Sequence, residues 1–313
     1  MKLSLIIPLY KSEMNVYNAY NEIRRILLDR KNGFETELIF VNDGSPDKSI
    51  DIVKEIYEKD NRVKYISFSR NFGMHAAILA GMEVASGDCI SSISCDLQDP
   101  LELLIEMFRK WQEGNKVVLA NRQERDDPFF TKLFANIYYK LLRKNGLKSM
   151  PDGGFDFYLI DKQVKDDLIK MKEKNSDIHC QIVWLGYKPY IFKYKRKNRK
   201  AGKSSWTFKK KVKLFIDSFV SFSYAPINLV TSLGFLMSIL GLVFAVKVLI
   251  DRLLNNINVE GWSSLIIVIL IIGGVQLIML GIIGEYLWRN FDETRKRPNY
   301  VIDEKRGFDD DRF

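Results

Sequence analysis

The first 120 residues alternate between two hydrophobic rhythms. Short, largely apolar, strand-like runs occur at residues 3–8, 38–41, 63–68, 89–94 and 116–120, the pattern of strands buried in a parallel sheet. Between them, apolar residues recur at helical spacing. Val16, Ala19, Ile23, Ile26 and Leu27 mark a helix over 13–28, and Ile52, Val53, Ile56 and Tyr57 mark one over 50–57. Two more helices are predicted over 74–84 and 100–111, the latter with Pro100 in its first turn. Strands alternating with helices predict an α/β fold with a mostly parallel sheet covered on both faces.

The rhythm then loosens. A helix is predicted over 129–145, followed by an apolar and aromatic run containing Gly153 and Gly154 over 151–160. A helix over 177–185 ends at Gly186, and a strand covers 189–194. Residues 196–205 are basic and polar and contain Gly202, the composition of a loop. From Trp206 to Val220, Phe208, Val212, Phe215, Ile216 and Phe219 share one helical face opposite lysines, the pattern of a helix lying in a membrane interface.

Two long apolar segments follow, with no charged residue over 219–246 or 261–284. Pro226 suits the first turn of a helix reaching to about residue 250, roughly 36 Å long at 1.5 Å per residue. That spans a hydrocarbon layer of about 30 Å, with Lys247 able to reach the interface. The second segment covers 263–286, with Gln276 inside and Trp262 and Trp288 where interfacial aromatics occur. A pair of buried core helices is the alternative, which the length and absence of charge disfavour. Lysines precede the first segment, and Arg289, Arg295, Lys296 and Arg297 follow the second, whereas the connection sets Arg252 against Asp251 and Glu260. The positive-inside rule then places both termini in the cytoplasm. Glu285 is expected to pair with Arg289, one helical turn on.

The expected organisation is a catalytic-type domain over 1–205, an interfacial segment over 206–222, a two-helix hairpin over 223–288 and a cytoplasmic tail over 289–313. Gly234, Gly241, Gly273, Gly274, Gly281 and Gly284 permit close helix contacts, whether within a monomer or in a homo-oligomer.

Charge sharpens this reading. The formal net charge is +9, and much of it lies at Lys193, Lys195, Arg196, Lys197, Arg199, Lys200, Lys203, Lys209, Lys210, Lys211 and Lys213. Next to a membrane segment, such a run favours anionic headgroups and phosphates over nucleic acid. Cys89, Cys95 and Cys180 form no CxxC and read as reduced thiols without a disulfide framework or structural zinc. The N-terminus is too short for a signal peptide. His75 and His179 are too few for a zinc site. His75 follows Asn71-Phe72-Gly73 and is a weak candidate for a ligand pocket; His179 reads as structural.

Candidate chemistry sits at strand ends, where parallel sheets bind ligands. Asn42-Asp43-Gly44-Ser45 follows the second strand. It reads equally as an ordinary turn or as a site where Asp43 accepts hydrogen bonds from a uracil or ribose. Asp96-Leu97-Gln98-Asp99-Pro100 follows the fourth strand. Asp96 suits a divalent cation held against diphosphate oxygens, while Asp99 beside Pro100 suits a helix cap.

Several longer motifs carry a family resemblance: IIPLYKSE at 6–13, VNDGSPD at 41–47, SRNFG at 69–73, ASGD at 85–88, CDLQDP at 95–100, GGFDFYLID at 153–161, GKSSW at 202–206 and GEYLWRNFDETRKRP at 284–298. In this order and spacing the chain resembles the inverting GT-A glycosyltransferases of family 2. The likeness is specifically to the bacterial polyprenyl-phosphate glycosyltransferases, which resemble dolichyl-phosphate mannose synthase. By position, Pro8, Tyr10, Glu13 and Asp43 match the nucleotide base and ribose pocket. Asp96 and Gln98 match the site for Mg²⁺ or Mn²⁺, and Asp156, with Asp96, matches the catalytic aspartates. Arg199 lies in the acceptor loop with Lys203. Asp156 also reads as a turn carboxylate after Gly153-Gly154.

The resemblance implies transfer of a hexose, glucose or N-acetylglucosamine, from a UDP-sugar to undecaprenyl phosphate with inversion. The setting it implies is the cytoplasmic face of a bacterial inner membrane, in service of a cell-envelope glycan, with a downstream flippase as partner. The sequence departs from the family at Ser94, where a first aspartate is common, at Lys11-Ser12 before Glu13, and at Ser205. A membrane scaffold with a degenerate catalytic fold is favoured by Ser94 but opposed by Asp43, Asp96, Asp156 and Arg199 together. A processive polysaccharide synthase would need more membrane helices and a Gln-x-x-Arg-Trp motif, which is lacking.

Overall fold

The structure is a computed structural model describing residues 1–30, 32–122, 138–144, 146–171, 173, 177–194, 225–255 and 261–308. It divides into two compact units: Met1–Ser221 with Pro298–Phe313, and Phe222–Arg297.

The first unit is built on an eight-stranded sheet: β1 (Lys2–Leu9), β2 (Glu35–Asn42), β3 (Val63–Phe68), β4 (Cys89–Ser92), β5 (Val117–Arg122), β6 (Phe157–Asp161), β7 (Pro189–Tyr194) and β8 (Ile302–Arg306), in the order β7-β5-β6-β4-β1-β2-β3-β8. β1 pairs parallel with β2 and β4, β2 with β3, and β5 with β7. β6 enters antiparallel between β4 and β5. The α/β expectation holds, with two antiparallel insertions.

The helices are α1 (Glu13–Ile23), α2 (Ser49–Tyr57), α3 (Met74–Val84), α4 (Leu101–Gln112), α5 (Lys162–Met171) and α6 (Ile178–Trp184). The helix expected over 13–28 changes to a π-helical turn at Arg24–Leu28. α5 was not anticipated from its pattern, and of the helix expected over 129–145 the described residues 138–144 are helical. Leu5, Ile7, Leu38 and Phe40 are fully buried, which is why these strands read as continuous apolar runs. The apolar stripes of α1 (Val16, Ala19, Ile23) and α4 (Leu104, Met107, Phe108) close over the same core.

Strand β8 revises the tail expected at 289–313. Ile302 pairs with Phe68 and Arg306 with Tyr65, antiparallel to β3. Tyr300 stacks on Phe68 with ring centroids 4.9 Å apart and donates its hydroxyl to Glu83 at 2.5 Å. Edge β3 is thereby covered, which blunts a row of unpaired backbone groups.

The second unit contains two long helices, α7 (Ala225–Asn255) and α8 (Trp262–Thr294). Both are long and apolar enough to cross a membrane, with windows at Val230–Val248 and Ile271–Thr294. Apolar side chains such as Phe235 and Leu277 face outward at 70% and 72% exposure, as expected of a lipid-facing surface. Arg289 pairs with Glu285 at 2.9 Å, as its spacing implied. The basic segment, including Arg199 and Lys203, and the amphipathic stretch over 206–220 lie outside the described residues.

Candidate active site

Strand direction brings the candidate residues to one edge of the sheet. β1, β2 and β4 run parallel and end at Leu9, Asn42 and Ser92. Antiparallel β6 therefore begins at that edge, where Asp156 immediately precedes Phe157. β5 and β7 also end there, at Arg122 and Tyr194. Pro8, Tyr10, Glu13, Asp43, Asp96, Gln98 and Asp156 thus share one edge.

The turn after β2 is tightly organised. Asp43 is 3% exposed. Its carboxylate accepts from the Asn71 amide at 2.8 Å, from Phe72 N at 2.6 Å and from Gly73 N at 3.0 Å. Burial pushes its pKa up, against the opposing pull of the Phe72 and Gly73 amides. Gly44 sits at φ 57, and a Cβ there would run into the Arg70 and Asn71 backbone. This carboxylate shapes the loop over 70–73, a role beyond the turn or base contact read from the sequence.

The turn after β1 docks on the same segment. Tyr10 is exposed and Pro8 half-buried. Lys11 N donates to Ser45 Oγ at 2.7 Å, and Glu13 N donates to Asp47 Oδ2 at 3.1 Å. Lys48 N in turn donates to the Glu13 carboxylate at 3.3 Å. Asp47 gathers the hydroxyls of Ser45 and Ser49, both at 2.6 Å. Sequence reasoning passed over Ser45, Asp47 and Ser49, although the alternation of Ser and Asp after Gly44 was a signal of side-chain turns.

The loop after β4 carries Asp96 and Gln98, both half-buried. Leu97 between them has φ 47, and its amide donates to Ser94 O at 3.0 Å. Among the described residues three non-glycine positions have positive φ, and two of them, Lys11 and Leu97, lie in these loops. Such backbone costs about 1–3 kcal/mol and persists where the surroundings impose it. Helix α4 has Pro100 at its cap position, and Asp99 beside it accepts from the Tyr194 hydroxyl at 2.5 Å.

Asp156 follows the Gly153-Gly154 turn, and the Asn121 amide donates to the carbonyls of Asp152 and Gly154, each at 2.6 Å. His75 lies in the field of Asp177 and His179, on the side of the site that holds Asp156. Cys89 and Cys95 are buried free thiols; burial pushes the Cys95 pKa up to about 12, which keeps it inert. Among the described residues no three His, Cys, Asp or Glu side chains cluster to hold a cation.

Residues 4–169 match the family model for glycosyl transferase family 2. The chain is 39% identical over 314 residues to an uncharacterized glycosyltransferase of Bacillus subtilis, YkcC, covering 100% of this chain and 97% of that one. It is 33% identical over 303 residues to the prophage bactoprenol glucosyl transferase homolog of Escherichia coli K12, covering 96% and 98%. Identity is also 33% over 303 residues to the bactoprenol glucosyl transferase of Shigella phage SfV, again covering 96% and 98%.

Proposed function

The chain belongs to glycosyl transferase family 2, and we propose that it transfers a hexose, glucose before N-acetylglucosamine, from a UDP-sugar to undecaprenyl phosphate with inversion. The carrying observation is the assembly of the Asp43, Asp96 and Asp156 loops on one sheet edge in a chain with two membrane-length apolar helices. The names of the relatives from Escherichia coli and phage SfV support glucose and a polyprenyl acceptor.

In this reading Pro8, Tyr10, Glu13 and the loop organised by Asp43 receive the uridine. Asp96 and Gln98 offer hard oxygen donors on one turn, and Mg²⁺ is commonly held by one or two carboxylates together with substrate phosphates. That donor set fits Mg²⁺ or Mn²⁺. A cation held there would compensate the charge of the departing diphosphate.

The acceptor is a phosphate monoester, whose second pKa near 6 leaves it largely ionised at pH 7. Its oxygen forms the new bond to the anomeric carbon as the bond to the UDP oxygen breaks, with inversion. A strong general base is therefore unnecessary. Asp156 opposes positive charge growing on the sugar and orients it. Arg199 grips the lipid phosphate through paired hydrogen bonds, and Lys203 adds a point charge. The two apolar helices would tether the chain to the membrane that carries the lipid acceptor.

The test is incubation of the full chain in detergent with undecaprenyl phosphate and radiolabelled UDP-glucose, UDP-N-acetylglucosamine or GDP-mannose. A lipid product from UDP-glucose, of opposite anomeric configuration by NMR, is the expected result. No lipid product from any donor overturns the proposal.

A further inference from the structure

Asp156 lies outside the sheet ladder, in the turn that leads into β6. What packs against this turn is the first turn of α6. Asp177 caps that helix, accepting from His179 N at 2.9 Å and Cys180 N at 3.2 Å. The same Oδ1 lies 3.1 Å from His179 Nδ1, so one carboxylate fixes both the helix start and the imidazole. The ring then sits edge-on against Phe155 at 5.1 Å and Tyr158 at 5.9 Å. Those residues bracket Asp156 and Phe157 in the chain.

We propose that His179 is a positioning residue for the transfer reaction, which with Asp177 sets where Asp156 carries its negative charge. The inference rests on the reading of Asp156 as a residue of the active site.

The electrostatics of every group facing the ring agree with this. Burial disfavours a charged His179, but Asp177 outweighs it, and the Asp156 carboxylate and main-chain carbonyl add to the effect, so its pKa is raised. Burial likewise penalises Asp177, yet the His179 ring and the helix amides hold its pKa down at about 2. His75, from α3, is driven the other way by burial, which outweighs the pull of Asp177 and of the Glu173 main chain. The buried Tyr158 phenol, held by Ser92 at 2.8 Å, is shifted up and stays neutral. The His179 ring thus lies between the carboxylate of Asp177 and the turn that bears Asp156, and both carboxylates act to raise its pKa.

The chain has two histidines, so ¹³C-histidine NMR of the full chain in detergent resolves both, with His75→Asn assigning the signals. One titration midpoint should lie above the ordinary histidine value and belong to His179; the other should lie below it. Asp156→Asn should lower the His179 midpoint by about half a unit or more while moving His75 less. His179→Gln, checked for folding by UDP binding, should reduce kcat by about tenfold or more with donor KM within about twofold, the mark of misplaced reacting groups. His179→Arg should restore kcat to within about threefold of wild type, and, whereas the wild-type rate should fall above the His179 midpoint, this variant's should not, because a guanidinium does not titrate there. An unchanged His179 midpoint in Asp156→Asn overturns the proposal, as does wild-type kcat in His179→Gln. Full turnover by Asp156→Asn would instead overturn the catalytic reading of Asp156 and leave the titration result standing.

Discussion

The hydroxyl of Tyr194 donates to the carboxylate of Asp99 at 2.5 Å, joining the last residue of β7 to the loop that carries Asp96 and Gln98. Both residues are buried. The chain passes from Tyr194 directly into the basic segment, so the proposed metal loop and the proposed acceptor segment share an anchor. Tyr194→Phe removes one hydrogen bond to a charged group, worth about 1.5–3 kcal/mol. The expected outcome is a lower thermal midpoint and a kcat reduced by about tenfold, with UDP affinity within about twofold. Steady-state kinetics and a melting curve check it; wild-type turnover would show that the anchor does not matter to the reaction.

Asp96→Asn keeps the size of the side chain and removes its charge. Turnover should fall by at least about a hundredfold, as when a transition-state charge loses its counterion. Excess chelator should stop the wild-type enzyme, and added Mg²⁺ or Mn²⁺ should restore it. Undiminished turnover in chelator would sink the metal assignment.

Asp43 presents acceptors to three N–H donors from Asn71, Phe72 and Gly73. In Asp43→Asn one acceptor becomes a donor aimed at donors. Loss of one charge-assisted bond of about 1.5–3 kcal/mol should raise the donor KM by about tenfold or more, with a smaller change in kcat. Donor titration by calorimetry measures it, and an unaltered affinity would separate this loop from the nucleotide pocket.

The proposed cytoplasmic placement of both termini can be tested by labelling. A cysteine at Asn256, in the connection between the two helices, should react with an impermeant thiol reagent in intact cells. One at Asp303 should react only after the cells are opened. The three native cysteines are buried, which keeps the background low. The reverse labelling pattern would overturn the cytoplasmic placement of the active site.

Glu37 holds the opposite end of the sheet. It is 2% exposed, and it accepts from Ser4 at 2.5 Å and Ser86 N at 2.8 Å, with Lys2 and Lys64 at 2.9 and 3.0 Å. Burial opposes its ionisation, but these partners outweigh it and bring its pKa from 4.5 to about 2. A depressed carboxylate pKa stabilises the fold above the unfolded value, and that stability is lost as pH falls through the folded one. The gap corresponds to about 3 kcal/mol. Glu37→Gln should therefore melt well below wild type at pH 7, and the difference should narrow as pH drops from about 4.5 toward 2. A difference independent of pH would assign the effect to packing rather than charge.

Much of the α/β unit was legible because its strands are buried on both faces. Val63–Phe68 and Met74–Val84 carry their own boundaries in the local apolar pattern; Pro189–Tyr194 does too, although it is an exposed edge strand. The two long helices were legible for the same reason, since charge-free length is a property of consecutive residues. The motifs around Asp43, Asp96 and Asp156 were visible too, although their meeting at one edge depends on strand direction. β8 was not legible: Ile-Asp-Glu-Lys-Arg has one apolar residue, and an edge strand held by backbone pairing needs no buried face to betray it. Nor could the sequence show that Asp43 is occupied by the loop over 70–73, that Asp99 meets Tyr194, or that His179 lies against the turn bearing Asp156. Periodicity reports which face of an element is buried. Which polar groups meet across that burial is decided when strands and helices distant in sequence pack together, and only the tertiary structure contains that information.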